Sequence, residues 1–365
     1  MTLQSSGLIT LSNIQSEFGG VNPISLSEYY RGGTYVPSQN TGVPTTGAIS
    51  MGGNFYGEEN TFFLTIASNT ENANISTLAT AAGWNGSTQI YVTINAGVWV
   101  WSDSTSTAGL IIPSGMPVVT ILNNGYIIGK GGKGGQGQYI SSKTEAASLM
   151  FGGAGGLAIQ SRSNTIIINN SGAYIAGGGG GGEGGNGTIS GANVISAWGA
   201  GGGGGAGGGD GGKGNGDTSG ETVNGGVGGG INANGTNGVS KSDAQSEYGA
   251  GGGGGGSGGA GGGVGVNISS GGGVPNGSAS GGGGGGGRKL PGVGGVTTGV
   301  SSGDQAFQGM PGGTAGAAGT NGSRQGGGGG GWGASSSGNG GTGGPAISGG
   351  YASLTNNGTV YGATA

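Results

Sequence analysis

Few residues here could do chemistry, and the absences narrow the field before any motif is read. The 365-residue chain has no Cys and no His. That removes disulfides, thiolate and imidazole catalysis, and zinc sites of the usual nitrogen and sulfur type. Carboxylates remain, among them Glu183, Asp210, Asp217, Glu221, Asp243, Glu247 and Asp304. A pair of acids can hydrolyse a glycosidic bond, but the chain is poor in the aromatic and basic groups that clamp sugars, so solvated loop charges are the preferred reading. The stretch GYIIGKGGKGG lacks the phosphate-loop spacing, and neither Lys130 nor Lys133 is followed by a Ser or Thr that could reach magnesium. GGDGGKGNGD has one residue too many before Asp217 for a calcium repeat and no tandem copies. No catalytic residue, metal or cofactor is expected.

Charge and hydropathy exclude further classes. The net charge is −4, and Arg31 is the only basic residue before Lys130, so nothing attracts a phosphate backbone and no nucleic-acid partner is expected. The N-terminus lacks the basic and continuously apolar parts of a secretory signal, and no run is long enough to span a bilayer. Synthesis in a cytoplasm is expected.

The elements that would position any site differ along the chain. In LSNIQSEFGG, Ser12 and Gln15 have capping-box spacing, Ile14 and Phe18 share a face, and Gly19 and Gly20 stop the helix. In SLSEYYRGG, Ser25 and Glu28 repeat the pattern around Leu26, Tyr29 and Tyr30. Helices this short do not stand alone in water. Their apolar groups must dock either on the next part of the chain or on a larger assembly. Further on, TFFLTIAS and QIYVTIN read as strands, with a helix between them opened near Asn74 and stopped by Gly83. Trp99 and Trp101 alternate with Val98 and Val100, so one pair faces a core and the other faces solvent or a neighbouring layer. Covering a sheet is preferred for the tryptophans over forming a sugar platform.

VVTILNNGYIIGKGGKGG and TIIINNSGAYIAGGGGGG echo one another, and ASLTNNGTVYG is a weaker third copy. Asn124-Gly125 and Asn357-Gly358 are hairpin-turn signals. Each strand of the first two copies then passes directly into glycine, of which the chain has 109. A flexible tether has no use for eight glycine runs interleaved with apolar inserts and closed by a strand. Ordering glycine costs about 1–2 kcal/mol per residue, with no side chain to bury in return. The compensation must come from backbone groups bonded between neighbouring threefold helices of the polyproline II kind, which only glycine lets approach closely. The expected fold is a small α+β N-terminal region followed by a polyglycine II bundle with projecting loops, few regular helices and some strands.

The corresponding division is 1–56, a short helical attachment segment; 57–128, a small mixed α/β domain; and 129–365, a glycine-rich domain ending in a strand. Its loops fall at 138–150, 188–198, 217–248, 266–280 and 288–325. Within or beside them Tyr139, Met150, Tyr248, Phe307 and Met310 are the large groups, either anchors on the scaffold or contacts with a partner. Trp198 and Trp332 adjoin glycine runs and read as scaffold covers.

LSNIQSEFGGVNPISLSEYY resembles a segment found near the start of many tailed-phage tail proteins. The alternation of glycine runs with dissimilar segments is similar to the receptor-recognising tail-fibre-tip adhesins of T-even-type phages. That resemblance implies a non-enzymatic virion protein, made in the host cytoplasm and mounted on the tail or fibre tip. Ile14, Phe18, Leu26, Tyr29 and Tyr30 would serve attachment to phage tail or tail-fibre proteins. The distal loops would bind a bacterial outer-membrane protein or lipopolysaccharide. The alternatives are a spacer protein with a flexible glycine region and a polysaccharide-cleaving tail spike.

Overall fold

The computed structural model describes residues 2–137, 151–184, 201–215, 222–223, 227–233, 235, 288–289, 313–315, 317–318 and 327–365. At the N-terminus, helix α1 (Leu11–Phe18) starts two residues earlier than the spacing of Ser12 and Gln15 predicts. Thr10 is the cap. Its hydroxyl accepts from the Asn13 N–H at 3.2 Å, and Asn13 Oδ1 accepts from the Thr10 N–H at 2.9 Å. A cap must be extended while its side chain reaches forward, and Thr10 meets this with φ −105 and ψ 162. Ser25 does cap the 3-10 turn Leu26–Tyr29, bonding Ser27 N at 3.3 Å. With α2 (Met51–Asn54) these pieces enclose Ile14, Phe18, Tyr29, Val36, Val43 and Phe55 in a core of their own.

The rest of the sheet structure is a coil wound on itself. One turn comprises β1 (Thr61–Ile66), β2 (Thr70–Glu71) and β3 (Ala73–Asn74), followed by α3 (Ile75–Ala81), capped by Asn74 as predicted. The next comprises β4 (Gln89–Ile94), β5 (Trp99–Trp101) and β6 (Leu110–Ile112). Then come β7 (Val119–Asn123) and β8 (Tyr126–Ile128), and after them β9 (Ile159–Asn169) and β10 (Tyr174–Ala176). A small antiparallel pair, β11 (Gly214–Asn215) and β12 (Thr222–Val223), stands apart. The coil ends with β13 (Ile347–Asn356) and β14 (Thr359–Tyr361).

Every pairing within the coil is parallel. β1, β4, β7, β9 and β13 stack on one side, and β2, β5, β8, β10 and β14 on a second. β3, β6 and the first residues of β9 and β13 form the third side. Their inward Ile, Val, Leu and Phe side chains form the main core. Each fully buried aliphatic contributes about 1.5–3 kcal/mol. The first edge of the coil is closed by the N-terminal unit: the Gln39 amide donates to the Phe63 carbonyl and accepts from its N–H.

Parallel stacking changes the meaning of the Asn-Asn sequences. Asn124-Gly125 and Asn357-Gly358 do not close hairpins; each turns the corner from the first side of the coil to the second. Nor is either glycine among the residues of positive φ. Gly125 is needed because a Cβ there would lie 2.4 Å from the Val98 carbonyl of the coil below. The preceding asparagines form a ladder across coils: Asn123 Nδ2 donates to Asn169 Oδ1, and Asn169 Nδ2 to Asn356 Oδ1, both at 2.8 Å. Asn170 Nδ2 donates to Asn124 Oδ1 at 2.7 Å in a second row.

At one corner, between the second side and the third, the chain leaves the coil. It departs briefly at 102–109, then after β8 at Gly129, then after β10 at Gly177, and returns at 159 and 347. The coil itself continues past residue 128 with β9, β10, β13 and β14. The ladder of the second side runs straight on into glycine: Gly129 N donates to Ala176 O, Gly132 N to Gly179 O and Gly135 N to Gly182 O, at 2.8–2.9 Å. Segments running back bond at the same three-residue spacing. Gly178 and Gly181 donate to Gly156 and Gly153, Gly205 and Gly202 to Gly132 and Gly135, and Gly344 and Gly341 to Gly178 and Gly181. We refer to this array as the glycine lattice.

Three outcomes test this construction. Replacing the fully buried Asn169 by Ala removes an acceptor from Asn123 Nδ2 and a donor from Asn356 Oδ1 and should cost about 1–3 kcal/mol in urea denaturation. Gly181→Ala places a Cβ 1.9 Å from the Lys133 carbonyl and should cost about 3 kcal/mol or more. Gly350→Ala meets nothing within 4 Å and should stay within about 0.5 kcal/mol of the parent.

Candidate functional site at the far end of the glycine lattice

The near end of the lattice is closed against the coil. The outward ring faces of Trp99, Tyr126 and Tyr174 stack in register, with centroids 4.2 and 5.3 Å apart. Trp332, at a near-end turn, covers this row 6.4 Å from Trp99, 6.1 Å from Tyr174 and 6.0 Å from Tyr361. Trp99 and Trp101 therefore cover a sheet as expected, buried in a cluster with Ala206 and Trp332 rather than open to a sugar. The chain reverses at this end in tight turns at 206–208 and 332–334, where Gly207, Gly208 and Gly333 have positive φ.

The far end is built differently. The outgoing segments are described as far as Gly137, Gly184 and Asn215, and the returning ones from Phe151, Gly201 and Gly327. These points lie together: Gly137 N donates to Lys213 O, Gly202 N to Gly135 O, and Gly327 N to Glu183 O, at 2.8–2.9 Å. Gly152 N reaches Asn339 O at 3.2 Å. The turn 337–340 lies here too, held by the buried Glu183, whose Oε2 accepts from Asn339 N at 2.7 Å. Phe151 stands 53% exposed at this rim.

Tyr139, Met150, Tyr248, Phe307 and Met310 lie outside the described residues, between these exits and returns, as does Trp198. Loops 138–150, 188–198 and 266–280 lie wholly outside them, and 217–248 and 288–325 largely so. Two residues that sequence reasoning passed over lie at the near end. The buried Arg288 donates through Nε to Gly229 O at 3.0 Å and through Nη1 to Ser102 O at 3.2 Å. Lys289 Nζ lies 5.9 Å from the centre of the Trp99 ring. Their only signal in the sequence is a pair of bases directly after seven glycines.

At the N-terminus, Ile14, Phe18 and Tyr29 are interior residues, and the Tyr29 hydroxyl donates to Gly19 O at 2.7 Å. Leu26 and Tyr30 are half-buried, whereas Leu8 and Val21 are each 81% exposed.

The acids have structural partners. Asp210 Oδ1 accepts from Gly228 N at 2.7 Å at the near end, on the opposite side of the lattice from Glu183. Asp217, Glu221, Asp243, Glu247 and Asp304 lie outside the described residues. Glu71 and Asp103 are close neighbours: Asp103 raises the proton affinity of Glu71, and Asn72 and Glu71 lower that of Asp103. Carboxyls in contact leave no room for a glycosidic bond between them. Among the described residues no three acids gather to hold a metal.

Comparison with known proteins places this architecture. No curated protein matches the chain. A crystal structure of the gp37-gp38 adhesin tip complex from the long tail fibre of bacteriophage S16 is similar at a TM-score of 0.43 and 16% identity, over 99% of this chain and 100% of that one. The family model for phage tail fibre adhesin Gp38 matches residues 61–279, from the first strand of the coil deep into the glycine-rich region. The match spans more than half of the chain, which belongs to the phage tail fibre adhesin Gp38 family.

Proposed function

We propose that this chain is a receptor-binding fibre-tip protein, in which the far end of the lattice presents the segments that recognise a bacterial surface. The observation that carries the reading is the gathering of three exits and three returns, with the Glu183-held turn, on one end of a rigid scaffold. Loops on such a scaffold meet a partner with little left to order. The glycine segments are read as packed polyglycine II helices. Support comes from their lateral bonds, which recur every three residues as a threefold helix requires.

In this reading Tyr139, Met150, Tyr248, Phe307 and Met310 are contact candidates, joined by Phe151 at the rim. The receptor is an outer-membrane protein loop or a lipopolysaccharide sugar, and no bond is cleaved. Residues 1–56 attach the protein to phage tail or tail-fibre proteins. Ile14, Phe18 and Tyr29 build that unit from within, while Leu26 and Tyr30 lie at its surface.

Exchanging 217–248 and 290–325 for the corresponding segments of a relative, with Arg288 and Lys289 retained, should redirect adsorption to that relative's host while thermal stability is kept. Unchanged adsorption after both exchanges would refute recognition and favour the spacer reading. Release of reducing ends from host polysaccharide would favour the tail spike.

A further inference from the structure

A second recess lies along the flank of the lattice, opening from its near end. It is a cleft of about 330 Å³ where the three excursions from the coil meet. The short excursion contributes Asp103, Ser104 and Thr105, the second Lys130, Lys133 and Ala154, and the third Asp210. Its volume falls at the lower end of small-molecule sites, roughly 300–1,000 Å³.

The three-residue repeat of the lattice puts Lys130 and Lys133 on one side of the same segment. Around Lys130 stand Asp210, Asp103 and Glu71, with Arg288 nearby. Burial loosens the hold of Lys130 on its proton; Arg288 adds to that effect, and the three carboxylates oppose it. Arg288 is committed to the Ser102 and Gly229 carbonyls. Asp210 spends one oxygen on Gly228. Asp103 accepts from Asn72 at 2.8 Å. Both signs are therefore present in near balance, which disfavours a strongly anionic or cationic ligand.

What matches such a lining is a neutral group that both donates and accepts. A hydroxyl can donate to a carboxylate and accept from an ammonium at once, and Thr105 adds one more partner of the same kind, the Ser104 hydroxyl being bonded to Ser106. Gly131, Gly153 and Gly155 form the remaining wall without side chains, leaving its backbone groups accessible to the ligand. We propose that this cleft is a second binding site, for a neutral saccharide of one or two residues, distinct from the far-end recognition surface.

The test uses the full chain and a panel of D-glucose, D-galactose, N-acetylglucosamine and their disaccharides, read by saturation-transfer NMR and titration. At least one sugar should bind. Lys130→Met should weaken it about tenfold or more, the loss expected for a hydrogen bond to a charged group. Ala154→Tyr, which fills the cleft from an exposed position, should abolish binding while the near-ultraviolet circular dichroism of the tryptophans is unchanged. Failure of every sugar to bind, or binding that survives both variants, overturns the proposal. If Lys130→Met unfolds the protein, the Ala154→Tyr result decides alone. The measurement needs no host cell and no far-end loop, so its outcome is separate from that of the adsorption test.

Discussion

Everything in this molecule depends on backbones approaching closer than any side chain permits. Across the lattice a Cβ built on the glycines would fall within about 2 Å of a neighbouring carbonyl at position after position, as at Gly132, Gly155, Gly181 and Gly341. At that separation an N–H of one segment meets the C=O of the next, and the demand that buried polar groups be paired is met sideways. No apolar payload is available to stabilise these segments. Their order rests on hydrogen bonds and on dispersion between closely apposed backbones, the individually small terms that add only when packing is dense.

Such a lattice needs a starting edge in register, and the coil supplies it. β8 and β10 are already parallel neighbours with Tyr126 opposite Tyr174. The bond from Gly129 to Ala176 continues that ladder into the bond from Gly132 to Gly179. Register is then fixed upstream by side chains that glycine lacks: the Asn123–Asn169–Asn356 ladder and the aromatic row capped by Trp332. A slip by one residue would break both at once.

This division explains what could be read from the chain. β1, β4 and α3 were legible because they carry large apolar side chains in local patterns, and α3 begins on a recognisable Asn cap. The ordering of glycine was legible only through its neighbours, the strands that run into it. The Asn-Gly steps misled because glycine is required at the corner for close approach to the neighbouring coil and not for positive φ, a demand set by a strand tens of residues away. Helix α1 was found but its cap was not, since Thr10 and Asn13 satisfy the same box as Ser12 and Gln15. At the candidate site the existence of intervening segments was readable. Phe151 and Arg288 were not, because nothing in a glycine-rich context distinguishes a residue at a rim from one at a base.

The path of the chain also limits where variation can accumulate. Each excursion leaves and re-enters the coil at the same corner. Reversals at the near end are pressed against Trp332 and the aromatic row, and are made by two or three residues with glycine at positive φ. Lengthening them would displace that cover. Among the described residues no aromatic layer covers the far end. Closing a longer loop there costs only about 0.6 kcal/mol per doubling of its length, while the lattice bonds below are untouched. Length and sequence can therefore change at the far end with little thermodynamic consequence, and hardly at all at the near end.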